Sequence, residues 1–173
     1  PLFMNSKVSS FSFRKATLND AIKLQNLGLV SYSQYFHLLS PEEKAKMENN
    51  LKSEERVIQL LNTSYCFVCL DGEKIIGMAY VLLSGNPWDF YPADWSYIRM
   101  LGVDPDYGGK GIGKELTNRC IVYAKQKNEK IIALHTSEMM NAARHIYQSL
   151  GFKILRELEP RFGKRYWLYT LEL

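Results

Sequence analysis

The spacing of apolar and polar positions changes several times along the chain, and each change marks an element. Residues 11–14 alternate with a period of two and predict a short first strand. Thr17-Leu18-Asn19-Asp20 has the form of a capping box, opening a helix that carries Ile22, Leu24 and Leu27. Ser40-Pro41-Glu42-Glu43 starts a second helix, with an N-cap serine, proline at the first helical position and glutamate at the third. Ile58, Leu60 and Leu61 place a third over residues 53–61. Residues 65–70 and 74–83 read as two strands joined at Asp71-Gly72 into a hairpin.

A loop rich in glycine, proline and aromatics covers residues 84–94, and a strand follows over 95–103. Residues 111–128 predict a long helix with Ile112, Leu116, Cys120 and Tyr123 on one face. A strand over 130–135 leads to a helix over 138–150, which Gly151 terminates. Residues 152–155 and 165–173 are the final strands, separated by a charged loop. The order β-α-α-α-β-β-β-α-β-α-β-β predicts an α/β fold with a mixed sheet. It is parallel around the two strand-helix-strand units and antiparallel elsewhere.

The chain of 173 residues suits one domain with a sizeable core. Pro1, Leu2 and Phe3 precede Met4 and read as residues appended ahead of a natural start, so the domain is expected to span 4–173. Apolar residues make up 46% and no run approaches the roughly 18 that a membrane helix needs, so no membrane partner is expected. The N-terminus lacks the apolar stretch of a secretory signal, which makes a cytoplasmic protein the expectation. Net charge is 22 − 18 = +4, with lysine and arginine scattered apart from the stretch 161–165. A nucleic-acid footprint would be denser, whereas a polyanionic small ligand suits this bias. Cys66, Cys69 and Cys120 are odd in number, which argues against a disulfide framework. Cys66 and Cys69, three apart on a strand, point to opposite faces and read as core residues rather than a metal or redox pair. No metal-ligating cluster is expected anywhere.

The chemistry concentrates in residues 100–116, where an apolar strand ends at Val103 and a glycine-rich turn opens the long helix. The first turn of a helix leaves backbone N–H groups unpaired at the positive end of its dipole, and glycines let a ligand approach them. That is an anion site suited to phosphate or diphosphate. Three phosphate-binding patterns compete. Gly108, Gly113 and Lys114 match most of a nucleotide P-loop, but Glu115 stands where a hydroxyl should hold magnesium. About 60 residues then remain, too few for the rest of such a core. The dinucleotide fingerprint fails from either start, at Lys114 or at Lys110.

The third pattern is an acyl-coenzyme A loop: Val103-Asp104-Pro105, then Gly108-Gly109-Lys110-Gly111-Ile112-Gly113. A second block, Ala142-Ala143-Arg144-His145-Ile146-Tyr147-Gln148-Ser149-Leu150-Gly151-Phe152, follows at the right distance. In both, the chain resembles the GNAT N-acetyltransferase superfamily, well over residues 75–152 and in topology throughout. The resemblance implies a mixed sheet of about seven strands flanked by helices. It also implies an acetyl-CoA-dependent N-acetyltransferase acting on a primary amine of a small molecule or peptide by direct attack. Gly108 occupies the place of the family's usual Arg or Gln. The diphosphate contacts are mainly backbone amides, so binding is expected to survive.

By the same resemblance, Leu101, Gly102, Val103, Gly108, Gly109, Lys110, Gly111, Ile112, Gly113 and Lys114 hold the cofactor, and Tyr147 protonates the departing thiolate. Met140, not Asn141, takes a position where many members carry asparagine. Tyr32, Tyr35, Trp95 and Tyr97 fall in regions that wall the acceptor site, as do Phe36, Trp88, Phe90 and Tyr91. Tyr97 stands where many relatives carry a glutamate base. Asp89, Asp94 and Glu138 are the nearby carboxylates, none privileged by spacing, and a water chain is the other route for the proton. His135 ends a strand on the cofactor side, while His37 and His145 look peripheral. Homodimers occur in the family, and the final hairpin would supply an interface. The alternative on the same fold is a non-catalytic acyl-CoA-binding or sensor domain.

Overall fold

A computed structural model describes residues 10–173. The expectation that residues 1–3 lie ahead of the domain falls outside that range. Seven strands form one sheet in the order β1-β2-β3-β4-β5-β7-β6. They are β1 (Ser12–Lys15), β2 (Tyr65–Asp71), β3 (Lys74–Leu82), β4 (Ser96–Val103), β5 (Ile131–Ser137), β6 (Lys153–Arg161) and β7 (Lys164–Glu172). Helices α1 (Ala21–Ser33), α2 (Pro41–Leu51) and α3 (Glu54–Thr63) belong to one face, and α4 (Ile112–Gln126) and α5 (Asn141–Ser149) to the other.

The helix starts follow the capping chemistry. The Ser40 Oγ accepts from the Glu43 N–H at 3.2 Å, and the Ser53 Oγ accepts from the Arg56 N–H at 3.3 Å. Strand alternation then divides the core into two. Met78, Tyr80 and Leu82 of β3 join Leu24, Leu27 and Leu60 under the first helical layer. Ala79 and Val81 join Ile112, Leu116 and Cys120 under the second. Cys66 and Cys69 fall in different clusters, as their spacing requires. Burial pushes their thiols up, to about 12 and about 11. The described residues hold no cluster able to bind a metal, and no helix among them is long and apolar enough to cross a membrane.

Gly77 sets how closely α4 can approach the sheet. A Cβ there would sit 2.9 Å from the Ile112 Cγ2 and 3.0 Å from the Leu116 Cδ1. Gly77→Val is therefore expected to destabilise the fold by about 1–3 kcal/mol through overpacking, read as a lower urea midpoint at unchanged slope.

Three predicted boundaries are corrected. The helix expected over 138–150 begins only at Asn141. The Glu138 N–H donates to the Arg165 carbonyl and the Met139 N–H to the Ser137 Oγ, so these residues extend the β5–β7 pairing and turn the chain. The strand expected over 152–155 runs on to Arg161, and no charged loop separates it from the last strand. Phe162 and Gly163, with φ of +52° and +69°, form a two-residue turn of the kind that suits twisted hairpins. The second strand-helix-strand unit does not make a parallel neighbour either. β7 inserts between β5 and β6 and is antiparallel to both.

Candidate functional site

A cleft opens where β4 parts from β5. Their pairing is confined to Ser96 with Ile132 and Tyr97 with Ala133. On its other edge, β4 places Arg99 opposite Tyr80 and Gly102 opposite Met78, so β4 carries one extra residue. The bulge falls at Met100, whose φ is +55°. Beyond Tyr97 the β5-facing edge of β4 has no ladder partner, and Leu101 and Val103 lie there. The resulting cavity of about 1480 Å³ runs from the α4 N-terminus, past the bulge, to the ends of α1 and α3.

One end of the cavity is built from backbone. Asp104 caps the turn after β4, accepting from the Asp106 N–H at 3.0 Å, and Lys74 pairs with the same carboxylate at 3.4 Å. Gly111 then precedes α4 in the left-handed region, at φ +82°. The first bond of this turn is the Glu115 N–H to the Gly111 carbonyl, at 3.0 Å. The N–H groups of Ile112, Gly113 and Lys114 lie ahead of it, at the positive end of the helix. Leu101, Gly102, Val103, Gly108, Gly109, Lys110, Gly111, Ile112, Gly113 and Lys114 all line the cavity. No atom lies within 4 Å of the place a Gly109 Cβ would take, so the loop is open to a ligand.

Tyr147 stands on α5 facing the middle of the cavity, 5% exposed, with its ring edge-on to Phe152. Burial, with lesser contributions from Tyr32 and other neighbours, raises its pKa far above the usual phenol range. Its hydroxyl takes no partner among the described residues and is not sealed off from the cavity. A neutral donor that has no bond of its own is free to serve a ligand.

The other end is aromatic. Tyr32 and Tyr35 from the end of α1 line it, the Tyr32 hydroxyl reaching towards the Leu101 carbonyl at 3.5 Å. Tyr97 forms part of the floor, stacked on Tyr91 at 4.1 Å with its hydroxyl donating to the Asn86 carbonyl at 2.7 Å. Trp95 does not line the cavity. Its N–H closes a turn onto the Pro92 carbonyl, and its ring packs on the first core cluster.

None of the three carboxylates considered as a base reaches the cavity wall. Asp89 pairs with Arg161, Glu138 accepts from the Arg165 N–H at 3.3 Å, and Asp94 is exposed elsewhere. The cations are a different matter. Arg56, Arg99 and Arg161 all line the cavity, and the sequence had singled out none of them for function. The available signal was a charged residue inside the otherwise apolar run 97–103.

His135 on β5 is half-buried against this wall, with the Tyr91 hydroxyl 2.6 Å from its Nδ1. Burial, then the charges of Arg161 and Arg99, pull its pKa down to about 3. The neutral ring carries one proton, and Nδ1 is the nitrogen that shares its hydrogen bond with Tyr91. An unfolded histidine takes its proton near pH 6.5, so between there and about 3 the unfolded state binds more protons. This contribution to stability is complete above about pH 6.5 and declines as pH falls. Urea unfolding is expected to show an acid-side slope approaching about 1.4 kcal/mol per pH unit from this group, which His135→Gln removes.

Comparison with known proteins agrees with this geometry. The Acetyltransferase (GNAT) family is matched over residues 31–152. The chain is 29% identical over 161 residues to the N-acetylaspartate synthetase of Xenopus tropicalis, covering 85% of this chain and 57% of that protein. It is 32% identical over 68 residues to the L-amino acid N-acyltransferase MnaT of Escherichia coli, covering 38% of this chain and 39% of that one. The chain thus spans less than two thirds of the length of these relatives. Among solved structures, the PaiA N-acetyltransferase of Thermoplasma acidophilum in complex with coenzyme A superposes with a TM-score of 0.78 at 18% identity, covering 95% of this chain and 99% of that one. With more than half of its length matched to the family, and with the splayed strand, glycine turn and helix-borne tyrosine in place, the chain belongs to the GNAT acetyltransferase family.

Proposed function

We propose that the protein transfers the acetyl group of acetyl-CoA to a primary amine by direct attack, with both substrates bound together. One observation carries the reading: a single cavity joins a bare helix N-terminus, an unpaired strand edge and the unpartnered Tyr147 hydroxyl. The N–H groups of Ile112, Gly113 and Lys114 suit a diphosphate, and Lys110 and Lys114 add positive charge beside it. The β5-facing edge of β4 at Leu101 and Val103 suits the amide-bearing arm of the cofactor and the acetyl carbonyl. The bound thioester supplies an activated acetyl carbon. The chain positions the amine and returns a proton to the departing sulfur from Tyr147. Relatives named for N-acylation, and a structural neighbour solved with coenzyme A, support the same assignment. The free tyrosine hydroxyl favours transfer over a role confined to acyl-CoA sensing.

Calorimetry with acetyl-CoA, CoA and magnesium-ATP in parallel tests the reading. Micromolar binding of the CoA species, with none by ATP, is expected, and absence of CoA binding would refute it.

A second expectation concerns the proton lost by the amine. Among the described residues, Asp104 is the one carboxylate on the cavity wall, and it is engaged by Lys74 and the turn. Two imidazoles also line the cavity: His135, whose Nδ1 is bonded to Tyr91, and His145, exposed on α5. With no free carboxylate at hand, the route proposed for the proton is water, and the acceptor arrives neutral. The rising limb of kcat/KM against pH should follow the acceptor's own pKa, moving by about two units between an α-amine and an alkyl amine. A limb fixed at one pH for both acceptors would reveal a protein base.

A further inference from the structure

The charge on the acceptor end of the cavity is one-sided. Arg99 extends from β4 with its guanidinium carbon 3.8 Å over the Trp88 ring. It is half-buried, and no carboxylate among the described residues pairs with it. Arg56 on α3 lines the same space without an ion pair, and Arg161 enters from the end of β6 with Asp89 as its partner. The surrounding side chains are aromatic, among them Tyr32, Tyr80 and Tyr166. Burial lowers the pKa of Arg99, and the charge of Arg56 adds to the same effect, while the neighbouring tyrosines oppose it. A guanidinium stripped of water and left unpaired is costly unless something else completes it. Its nitrogens are not sealed from the cavity, so whatever completes them enters through it.

We infer that the acceptor carries a carboxylate close to its amine, as an amino acid does, and that Arg99 receives that carboxylate. The position of Arg99 supports this, since it directly precedes the bulge at Met100 where β4 frees its edge. A carboxylate on the flat fork of Arg99 keeps the amine of a small molecule beside that edge, where the acetyl group is to be attacked. Contact with the Trp88 ring restrains the guanidinium. The same wall disfavours a polyamine, whose charges would meet Arg56 and Arg99 with no acid to offset them.

This inference rests on the transferase reading, and the test separates the two. Thiol release from acetyl-CoA is followed with the standard α-amino acids, their α-carboxamides and putrescine. At least one amino acid is expected to exceed its own carboxamide by about tenfold or more in kcat/KM, with putrescine below both. Arg99→Met is expected to raise KM for that amino acid by about 10²-fold while leaving acetyl-CoA binding by calorimetry unchanged. Arg99→Lys should recover part of the loss, since it keeps the charge but not the fork. Carboxamides or putrescine used as well as amino acids would overturn the inference. So would a KM indifferent to Arg99→Met, or no amino acid turned over by protein that binds acetyl-CoA. Failure to bind acetyl-CoA at all would sink the transferase reading itself, and this inference with it.

Discussion

Tyr147→Phe is expected to lower kcat by about 10²-fold or more while leaving the Kd for acetyl-CoA within about twofold. The substitution removes one oxygen from a ring that is otherwise packed against Phe152 and Tyr169, so the fold and the cofactor's contacts at α4 should persist. What is lost is the one phenol on the cavity wall that combines burial with an unpartnered hydroxyl beside α5. Because burial keeps that hydroxyl protonated well above neutrality, the wild-type rate should show no decline from its ionisation as pH rises towards 10. A kcat unchanged in the variant would return Tyr147 to the packing of the second core cluster.

The second large effect is on cofactor binding. Gly111→Val should weaken acetyl-CoA binding by about 10- to 100-fold, the equivalent of about 1–3 kcal/mol of backbone strain. Gly111 holds φ +82° one residue before α4 begins. A β-branched residue is poorly tolerated there, and the turn would relax to another conformation in the free protein. Binding would then have to restore the strained form so that the N–H groups of Ile112, Gly113 and Lys114 converge again. Calorimetry would show the loss as a weaker Kd with little change in stoichiometry. An unchanged affinity would mean that the diphosphate is held elsewhere.

Local chemistry explains which features were legible before the structure. The α2 cap, the β2–β3 hairpin and the glycine turn each rest on residues adjacent in the chain, so their spacing sufficed. Tyr147 was singled out through the family resemblance, by its place four residues before Gly151-Phe152. The long β6 was hidden because almost every residue in it is exposed, leaving no alternation to detect, and because Pro160 sits on a sheet edge where no donor is needed. Trp95 was placed at the acceptor wall by its neighbourhood in sequence, but the turn onto Pro92 directs it into packing. Arg99 escaped notice because its meaning is tertiary. Trp88 comes from a loop, Arg56 from α3 and Arg161 from the end of β6, and together with Arg99 they define a cationic wall.

The insertion of β7 between β5 and β6 has a consequence for synthesis on the ribosome. β1 to β4 and their helices can pair as they emerge, each strand finding an earlier neighbour. β5 gains only two residue pairs from β4, and β6 gains none from any strand before it. Both await β7, the last strand of the sheet to leave the exit tunnel. A nascent chain with residues up to 161 outside the tunnel and 164–172 still inside would therefore present two open strands, β5 and β6, at once, and chaperone engagement should peak there.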